Sequence, residues 1–275
     1  MAQNILTETI DQLYTLLGDE INSLTVERVS IGIFYTGVKL SNGEGGLCFT
    51  PIKSIPEAVC CPSSARVMPA SGKLAGRNIS YFLENLFAES PMKKALGIAV
   101  VNALSSTYWH LEPPKDYTIN IGGDPLDDVC FPDDANVAVI GALVPYIKRL
   151  KKRGKPFSIL ELDARTLKPD EIKYHVPPEK TDEVIASADY LISTGTTLIN
   201  NTLDDILAKT KKDCKVFVVG PTATMLPDAF FRRNVTALGG TAVTKPDALL
   251  DMLAEAGSGY HFYGKSAEKV VIKKN

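Results

Sequence analysis

The second half of the chain alternates short, continuously apolar segments with helical segments, and this alternation constrains the fold most. The apolar segments cover residues 137–140, 157–162, 190–193, 216–219 and 235–238. Strands that read as unbroken apolar runs are buried on both faces, and helices between them are typical of a parallel sheet. Residues 125–275 are therefore predicted to form a doubly wound, Rossmann-like α/β domain. A short strand at 269–272 is predicted to lie at its edge.

The first half of the chain shows a different pattern. Apolar residues at helical spacing predict a helix over 5–24, and alternation from residue 26 predicts strands joined by a glycine-rich hairpin at 41–46. Two helices follow, near 81–87 and 92–108. Residues 1–112 are thus predicted to be an α+β domain built from an antiparallel meander and helices. The turn-rich stretch after it is predicted to connect the two domains.

Charge and hydropathy exclude several classes of protein. The chain has 30 Lys and Arg against 32 Asp and Glu, so it lacks the basic surplus of nucleic-acid-binding proteins. No apolar run approaches the roughly 20 residues of a membrane span, and no signal peptide is visible. We therefore expect a cytoplasmic protein whose partner is a small molecule rather than nucleic acid or membrane. The pattern leaves the oligomeric state open and allows a homo-oligomer.

Five cysteines occur, at positions 48, 60, 61, 130 and 214. The odd number and irregular spacing are typical of reduced thiols. Cys60 and Cys61 are adjacent and could bind a soft metal, but no CxxC motif or nearby histidine completes a site. Ordinary packing is the favoured interpretation, and no metal ligand is assigned.

Glycine, threonine and asparagine follow the predicted strands. Ligands of open α/β sheets bind outside the carboxyl ends of the strands, where glycine lets a ligand approach the backbone. Each glycine or threonine alone is explained by tight turns and helix caps, but their convergence at one edge favours a site. The candidate binding residues are Gly141, Asp163, Thr194, Gly195, Thr196, Asn200, Gly220, Pro221, Thr222, Gly239 and Gly240.

The cofactor stays unassigned. The first strand is followed by Gly141 alone rather than by GxGxxG, which disfavours NAD, although Asp163 lies near the distance expected for a ribose-reading acid. S-adenosylmethionine or a nucleotide remains an alternative. The sequence contains no Walker A motif, no GxSxG elbow and no HExxH motif.

Candidate catalytic groups come from the N-terminal half. Lys39 and Glu44 flank the predicted hairpin, and Asn102 lies in a helix that is apolar on most sides. Each has a structural explanation as well, because surface charges are usually only solvated and a buried amide needs hydrogen-bond partners.

Three motifs carry a resemblance to a known family: residues 194–202, 219–222 and 238–241. In this order, after successive strands, they resemble a family of unknown function labelled "putative heavy-metal chelation". The resemblance covers about the last 140–150 residues, a domain-sized unit. It implies that the N-terminal half is similar to the N-terminal domain of enolase. It also implies a role linked to metal chelation, through making or processing a small chelator.

Three functional hypotheses follow. The first is an enzyme of condensation or hydrolysis type, with a small-molecule site between the domains and a pterin-, flavin- or siderophore-like chelator as its product or substrate. The second is a non-catalytic protein that binds a metal or a metal–chelator complex. The third is a transferase that uses S-adenosylmethionine or a nucleotide. Whether the chain is an enzyme is left open.

Overall fold

A computed structural model describes residues 4–54 and 70–275 of the chain. In the N-terminal unit the predicted first helix is divided at Gly18, whose φ of +54° ends it. The elements of this unit are α1 (Ile5–Leu17), α2 (Glu20–Ser23), β1 (Val26–Ile31), β2 (Tyr35–Leu40), β3 (Gly45–Phe49), α3 (Ile79–Glu84) and α4 (Pro91–Leu111). The three strands form the predicted antiparallel meander in the order β1-β2-β3.

Helix α4 lies directly against strand β3. A Cβ atom at Gly46 would lie 1.9 Å from the carbonyl oxygen of Ala99 and 2.6 Å from the backbone nitrogen of Ala103. Only glycine allows two backbones to approach so closely. The helix is buried on most of its sides, as its composition predicts. Neither α4 nor any other helix in the described parts of the chain is long and apolar enough to span a membrane.

The C-terminal unit contains a seven-stranded sheet in the order β4-β10-β9-β8-β7-β5-β6. Strands β9, β8, β7, β5 and β6 are parallel, and β10 is antiparallel to both β9 and β4. The strands are β4 (Tyr117–Ile121), β5 (Val137–Ile140), β6 (Ser158–Leu160), β7 (Tyr190–Thr194), β8 (Lys215–Val219), β9 (Val235–Val243) and β10 (Ala267–Lys274). The helices are α5 (Val144–Arg153), α6 (Thr181–Ser187), α7 (Leu203–Lys209), α8 (Asp228–Phe231), α9 (Pro246–Ala254) and α10 (Gly259–Phe262). The predicted fold class, a Rossmann-like sheet with an N-terminal α+β unit, is confirmed.

Two strands differ from the prediction, one in its place in the sheet and the other in its length. The connecting stretch contains β4, which pairs with β10, so β10 is an inner strand of the sheet rather than its edge. Strand β9 was expected to end at Leu238, and it continues to Val243. Gly239 and Gly240 therefore lie inside a strand, opposite Val271 and Val270.

The two faces of the large sheet pack against different parts of the chain. Ile192, Phe217 and Val219 contact one core that includes α5. Leu191, Val218 and Leu238, on the opposite face, belong to a core that also contains buried residues of α1 and α4. Because neighbouring strand residues point to opposite faces, each strand contributes to both cores. The N-terminal unit thus supplies one of the two layers that cover the sheet.

Candidate functional site

The order of the strands determines where a ligand crevice can form at the edge of the sheet. The parallel strands follow the order β6-β5-β7-β8-β9, so the chain moves to one side of β5 and then to the other. Ligands of such sheets bind at this reversal, outside the carboxyl ends of the two strands beside it. Here these ends are Gly141, after β5, and Thr194, which ends β7. A Cβ atom at Gly141, where φ is +91°, would lie 2.9 Å from Cγ2 of Thr194.

The loop after β7 is held by its own threonines. The Thr194 hydroxyl accepts a hydrogen bond from the Thr196 N–H at 3.3 Å, and the Thr197 hydroxyl donates to the Thr194 carbonyl at 2.7 Å. A Cβ atom at Gly195 would lie 3.1 Å from the backbone nitrogen of Ala223, so this loop packs on the loop after β8. Asn200 accepts hydrogen bonds from the N–H and hydroxyl of Thr202 within its own turn.

The loop after β8 opens a space beside this reversal. Gly220 has a φ of +112° and a ψ of 162°, a backbone region that essentially only glycine adopts. No atom lies within 4 Å of the position that a Cβ atom would occupy. Its N–H donates to the Gly239 carbonyl at 2.8 Å and its carbonyl accepts the Ala223 N–H at 3.1 Å, so the open space offers a ligand room against the Cα atom of Gly220.

The same loop joins the two units of the chain. Strand β3 lies at the edge of the meander, so the backbone groups on its outer side need partners from elsewhere. The Thr222 hydroxyl accepts the Phe49 N–H at 3.1 Å. The Asn102 amide donates to the carbonyls of Leu47 (2.8 Å), Pro221 (3.1 Å) and Thr222 (3.2 Å). Asn102 and Thr222 therefore connect the meander to the loop after β8, and both side chains are buried.

Lys39 and Glu44 lie at the other end of the hairpin. The Lys39 amine contacts Glu27 at 3.1 Å and Asp247 at 2.8 Å. Glu44 accepts a hydrogen bond from the Ser106 hydroxyl at 2.8 Å and pairs with His110 at 2.7 Å. Five residue steps separate Glu44 from Phe49, about 16 Å at the usual rise of a strand. The structure does not bring Lys39 or Glu44 to the loops that follow β7 and β8.

The end of β6 is tied to the N-terminal unit by charge. The Asp163 carboxylate pairs with the Arg165 guanidinium at 2.8 Å and with the Lys53 ammonium at 2.8 Å. These two cations hold the pKa of Asp163 well below its usual range, so it is a carboxylate at neutral pH. Lys53 belongs to the turn that follows β3, and its contact spans the gap between the two units.

Gly239 and Gly240 serve close packing inside β9. A Cβ atom at Gly239 would lie 2.8 Å from the ring of Pro125, and one at Gly240 would lie 2.6 Å from the hydroxyl of Thr224. The predicted end of the strand before these glycines is wrong, because the strand continues through them. Their small size admits Pro125 and Thr224 against the sheet.

Three charged residues that bear on the site were not predicted from the sequence, two of them near the strand ends and one in α4. Lys53 reaches Asp163, as described above. Glu161 accepts the N–H groups of Ala142 (2.9 Å) and Asp163 (3.0 Å), so it joins the loops after β5 and β6. Lys94 lies in α4 and is only 5% exposed. Two of these residues could have been found from the sequence. Glu161 is an acid directly after an apolar strand, and Lys94 is a lysine inside an apolar helix.

Comparison with known proteins decides the family. Residues 124–272 match the family model DUF364, and residues 14–105 match the model DUF4213. Both families carry the description "Putative heavy-metal chelation". The chain belongs to the DUF364 family. The family predicted from the three motifs is thereby confirmed.

Relatives of this DUF364 protein share its fold over nearly the whole length. A DUF364 protein of unknown function from Pyrococcus horikoshii superposes with a TM-score of 0.73 at 20% identity, covering 98% of this chain and 99% of that one. One from Desulfitobacterium hafniense superposes with a TM-score of 0.64 at 17% identity, covering 96% and 99%. An uncharacterized protein from Methanocaldococcus jannaschii is 29% identical over 196 residues, which are 69% of this chain and 70% of that protein.

The thiols of this DUF364 protein differ in exposure. Cys48 and Cys214 are buried, and Cys130 is exposed. Burial raises the pKa of the Cys48 thiol to about 12 and that of Cys214 to about 11. Cys60 and Cys61 lie outside the described residues. Within residues 4–54 and 70–275, no three His, Cys, Asp or Glu side chains converge in a way that could hold a metal ion.

We expect alkylation to distinguish Cys48 from Cys130. At pH 8 Cys48 stays a thiol because burial raises its pKa to about 12, and its sulfur is enclosed. Brief treatment of the native protein with iodoacetamide should label Cys130 and leave Cys48 unmodified, as mapped by mass spectrometry of peptides. Unfolding in guanidinium should make both react. Equal labelling of the two cysteines in the native protein would contradict the buried position of Cys48.

Proposed function

We propose that this protein binds a small polar molecule in the crevice at the carboxyl ends of β5, β7 and β8, between its two units. We propose further that it acts on this molecule as an enzyme of condensation or hydrolysis type, in the making or processing of a heavy-metal chelator of pterin, flavin or siderophore type. The cytoplasm remains the expected location. The observation that carries the proposal is the open space at Gly220, beside the reversal of strand order.

The surroundings of Gly220 support a polar ligand. The loops after β7 and β8 contact one another, and the hydroxyls of the half-buried Thr194 and Thr196 lie in the first of them. Binding sites with a few well-placed polar groups at such a reversal are typical of α/β proteins. Because Asn102, Thr222 and Lys53 hold the N-terminal unit against these loops, that unit closes one side of the crevice.

Chelators suit these groups chemically. Pterins, flavins and siderophores present carbonyl, hydroxyl and ring nitrogen atoms, which hydrogen-bond to hydroxyl and amide groups. The family description supplies the link to metals. Condensation and hydrolysis are the reaction types that need only proton transfer and a bound water, and a closed crevice strengthens the electrostatic contacts that assist them.

Non-catalytic binding of a metal–chelator complex is the second candidate. The observation in its favour is that several polar groups of the crevice are already engaged in structural contacts: Asn102 and Thr222 hold backbone groups, and Asp163 holds Lys53 and Arg165. The transferase hypothesis is weaker. A ribose hydroxyl could bind Asp163 only by competing with these two cations.

The experiment compares Gly220→Val with Gly43→Val. Both positions have positive φ and open space around the missing Cβ, so each variant should lose roughly 1–3 kcal/mol of stability from backbone strain. Gly43 lies in the turn between β2 and β3, away from the carboxyl ends of the parallel strands. With a pterin, riboflavin and 2,3-dihydroxybenzoate as probes, each with and without ferric iron, at least one should bind the wild type. Gly220→Val should weaken that binding at least tenfold, and Gly43→Val should leave it unchanged.

Calorimetry and mass spectrometry provide the readouts. Equal affinity in the wild type and Gly220→Val would overturn the site, and so would the failure of every probe to bind. Conversion of a bound probe would favour the enzyme. Tight binding of the ferric complex alone, with stoichiometric iron by elemental analysis and no conversion, would favour the binding protein.

A further inference from the structure

Lys94 is a buried lysine that pairs with no counter-charge among the described residues. It lies one turn into α4, it is 5% exposed, and both Ala95 and Ile98 beside it are fully enclosed. Among the described residues its amine forms no hydrogen bond and no ion pair. The Nζ atom itself keeps some contact with solvent, because it is not one of the fully buried polar atoms that lack a partner. The partial desolvation of the amine disfavours its charged form, so the neutral amine is more populated here than at an exposed lysine.

Helix geometry places Lys94 on a face of α4 that also makes a contact with the C-terminal unit. Residues four, seven and eleven positions apart share one face of a helix, so Lys94, Val101 and Ser105 point in similar directions. The Ser105 hydroxyl accepts the N–H of Leu226 at 3.1 Å, from the segment after β8. Lys94 therefore lies on the same side, about 16 Å further toward the start of the helix at 1.5 Å per residue.

The chain that follows the hairpin approaches this end of the helix. Glu44 contacts Ser106, and Leu47 contacts Asn102, so the segment advances toward the start of α4 as its numbering rises. The turn at Ile52–Ser54 that comes next contacts α4. Lys53 of this turn reaches Asp163 at the end of β6. The first turns of α4, which contain Lys94, are the end of the helix toward which this segment runs.

We propose that Lys94 is the nucleophilic amine of the crevice and that it binds an aldehyde or ketone as an imine. The inference rests on the proposed function, since it names a substrate class for the same site. The neutral nitrogen attacks the carbonyl carbon, and a proton moves from nitrogen to oxygen to give a carbinolamine. Loss of the hydroxyl as water then forms the C=N bond, so that one amine and one carbonyl give one imine and one water.

The surroundings suit a neutral amine. No carboxylate among the described residues pairs with Lys94, so none favours its ammonium form. Burial lowers the pKa of Lys94 below its ordinary value, which increases the fraction of neutral amine at pH 7. Desolvated lysines of this kind are the ones that form imines with carbonyl substrates.

Reductive trapping tests the proposal on the full chain. Pyridoxal is added at low concentration, and sodium borohydride reduces any imine to a stable amine whose position is mapped by peptide mass spectrometry. Lys93, the preceding residue, is the matched control because it is only half-buried on the same helix. We expect Lys94 to be labelled at least ten times more than Lys93. Lys94→Arg should remove this early label, and Lys93→Gln should keep it.

The two proposals fail in different ways. Labelling of Lys94 that is equal to or weaker than that of Lys93 in the wild type overturns the imine, whatever the variants do. Suppose that a probe binds the wild type, that Gly220→Val weakens this binding, and that Lys94 stays unlabelled. The binding site is then supported, and the imine chemistry of Lys94 is refuted. If Lys94 is trapped efficiently and none of the probes binds, the proposed chelator ligand is refuted and the reactive lysine is supported.

Discussion

Gly46→Ala is expected to lower the free energy of unfolding by more than about 4 kcal/mol, above the 1–3 kcal/mol typical of overpacking. The added methyl group would lie 1.9 Å from the carbonyl oxygen of Ala99 and 2.6 Å from the backbone nitrogen of Ala103. Both atoms belong to the backbone of α4, which cannot rotate away as a side chain can. The helix would have to move off β3, and that movement would disturb the contacts on both of its sides.

Urea unfolding measures this loss, with two alanine variants as controls. At Gly45 the nearest atoms are side-chain carbons of Val243 and Pro246, which can shift, so the loss should be smaller. At Gly43 the space is open and only the positive φ is strained, so we expect about 1 kcal/mol. A Gly46→Ala protein that unfolds within 1 kcal/mol of the wild type would show that β3 and α4 are not in direct backbone contact.

The sheet could be predicted because its signal is local. Runs such as residues 137–140 and 216–219 are apolar on both faces, and only a sheet covered on both sides uses such strands. The partners of a strand are not local. Strand β10 was expected at the edge, but β4 covers it, and nothing within 117–121 indicates that pairing. Gly239 and Gly240 look like a turn, and only the packing of Pro125 and Thr224 shows why they lie inside a strand.

The same distinction applies to the candidate site. The carboxyl ends of parallel strands meet at one edge, so the proximity of Gly141, Thr194 and Gly220 follows from the strand pattern alone. Which part of the meander meets that edge depends on how two separately folded surfaces pack. The structure turns the Phe49 end of the hairpin toward Thr222 and the Glu44 end away from it. Lys53, rather than Lys39, consequently reaches a strand end.

Asn102 provides the second large effect, because its amide is the donor for three carbonyl oxygens at the junction of the two units. Asn102→Leu keeps the branching and the number of heavy atoms of the side chain, and it removes both N–H donors. The carbonyls of Leu47, Pro221 and Thr222 would then lose a shared donor in a buried environment. An unsatisfied buried polar group costs about 1–3 kcal/mol, so we expect a loss of roughly 3–5 kcal/mol in urea unfolding.

Comparison with Asn102→Asp separates hydrogen bonding from packing. The aspartate has nearly the same shape, but it would place a carboxylate against three carbonyl oxygens and should be at least as destabilising as leucine. Asn42→Ala is the control, since Asn42 donates one 3.0 Å hydrogen bond to Thr107 near the hairpin turn and should lose about 1 kcal/mol or less. If Asn102→Leu were as stable as the wild type, the amide would not hold the units together. The wall of the crevice beside Gly220 would then be held by the other contacts of the meander with the C-terminal unit, among them Thr222 with Phe49 and Lys39 with Asp247, and the preorganisation of the site would not depend on Asn102.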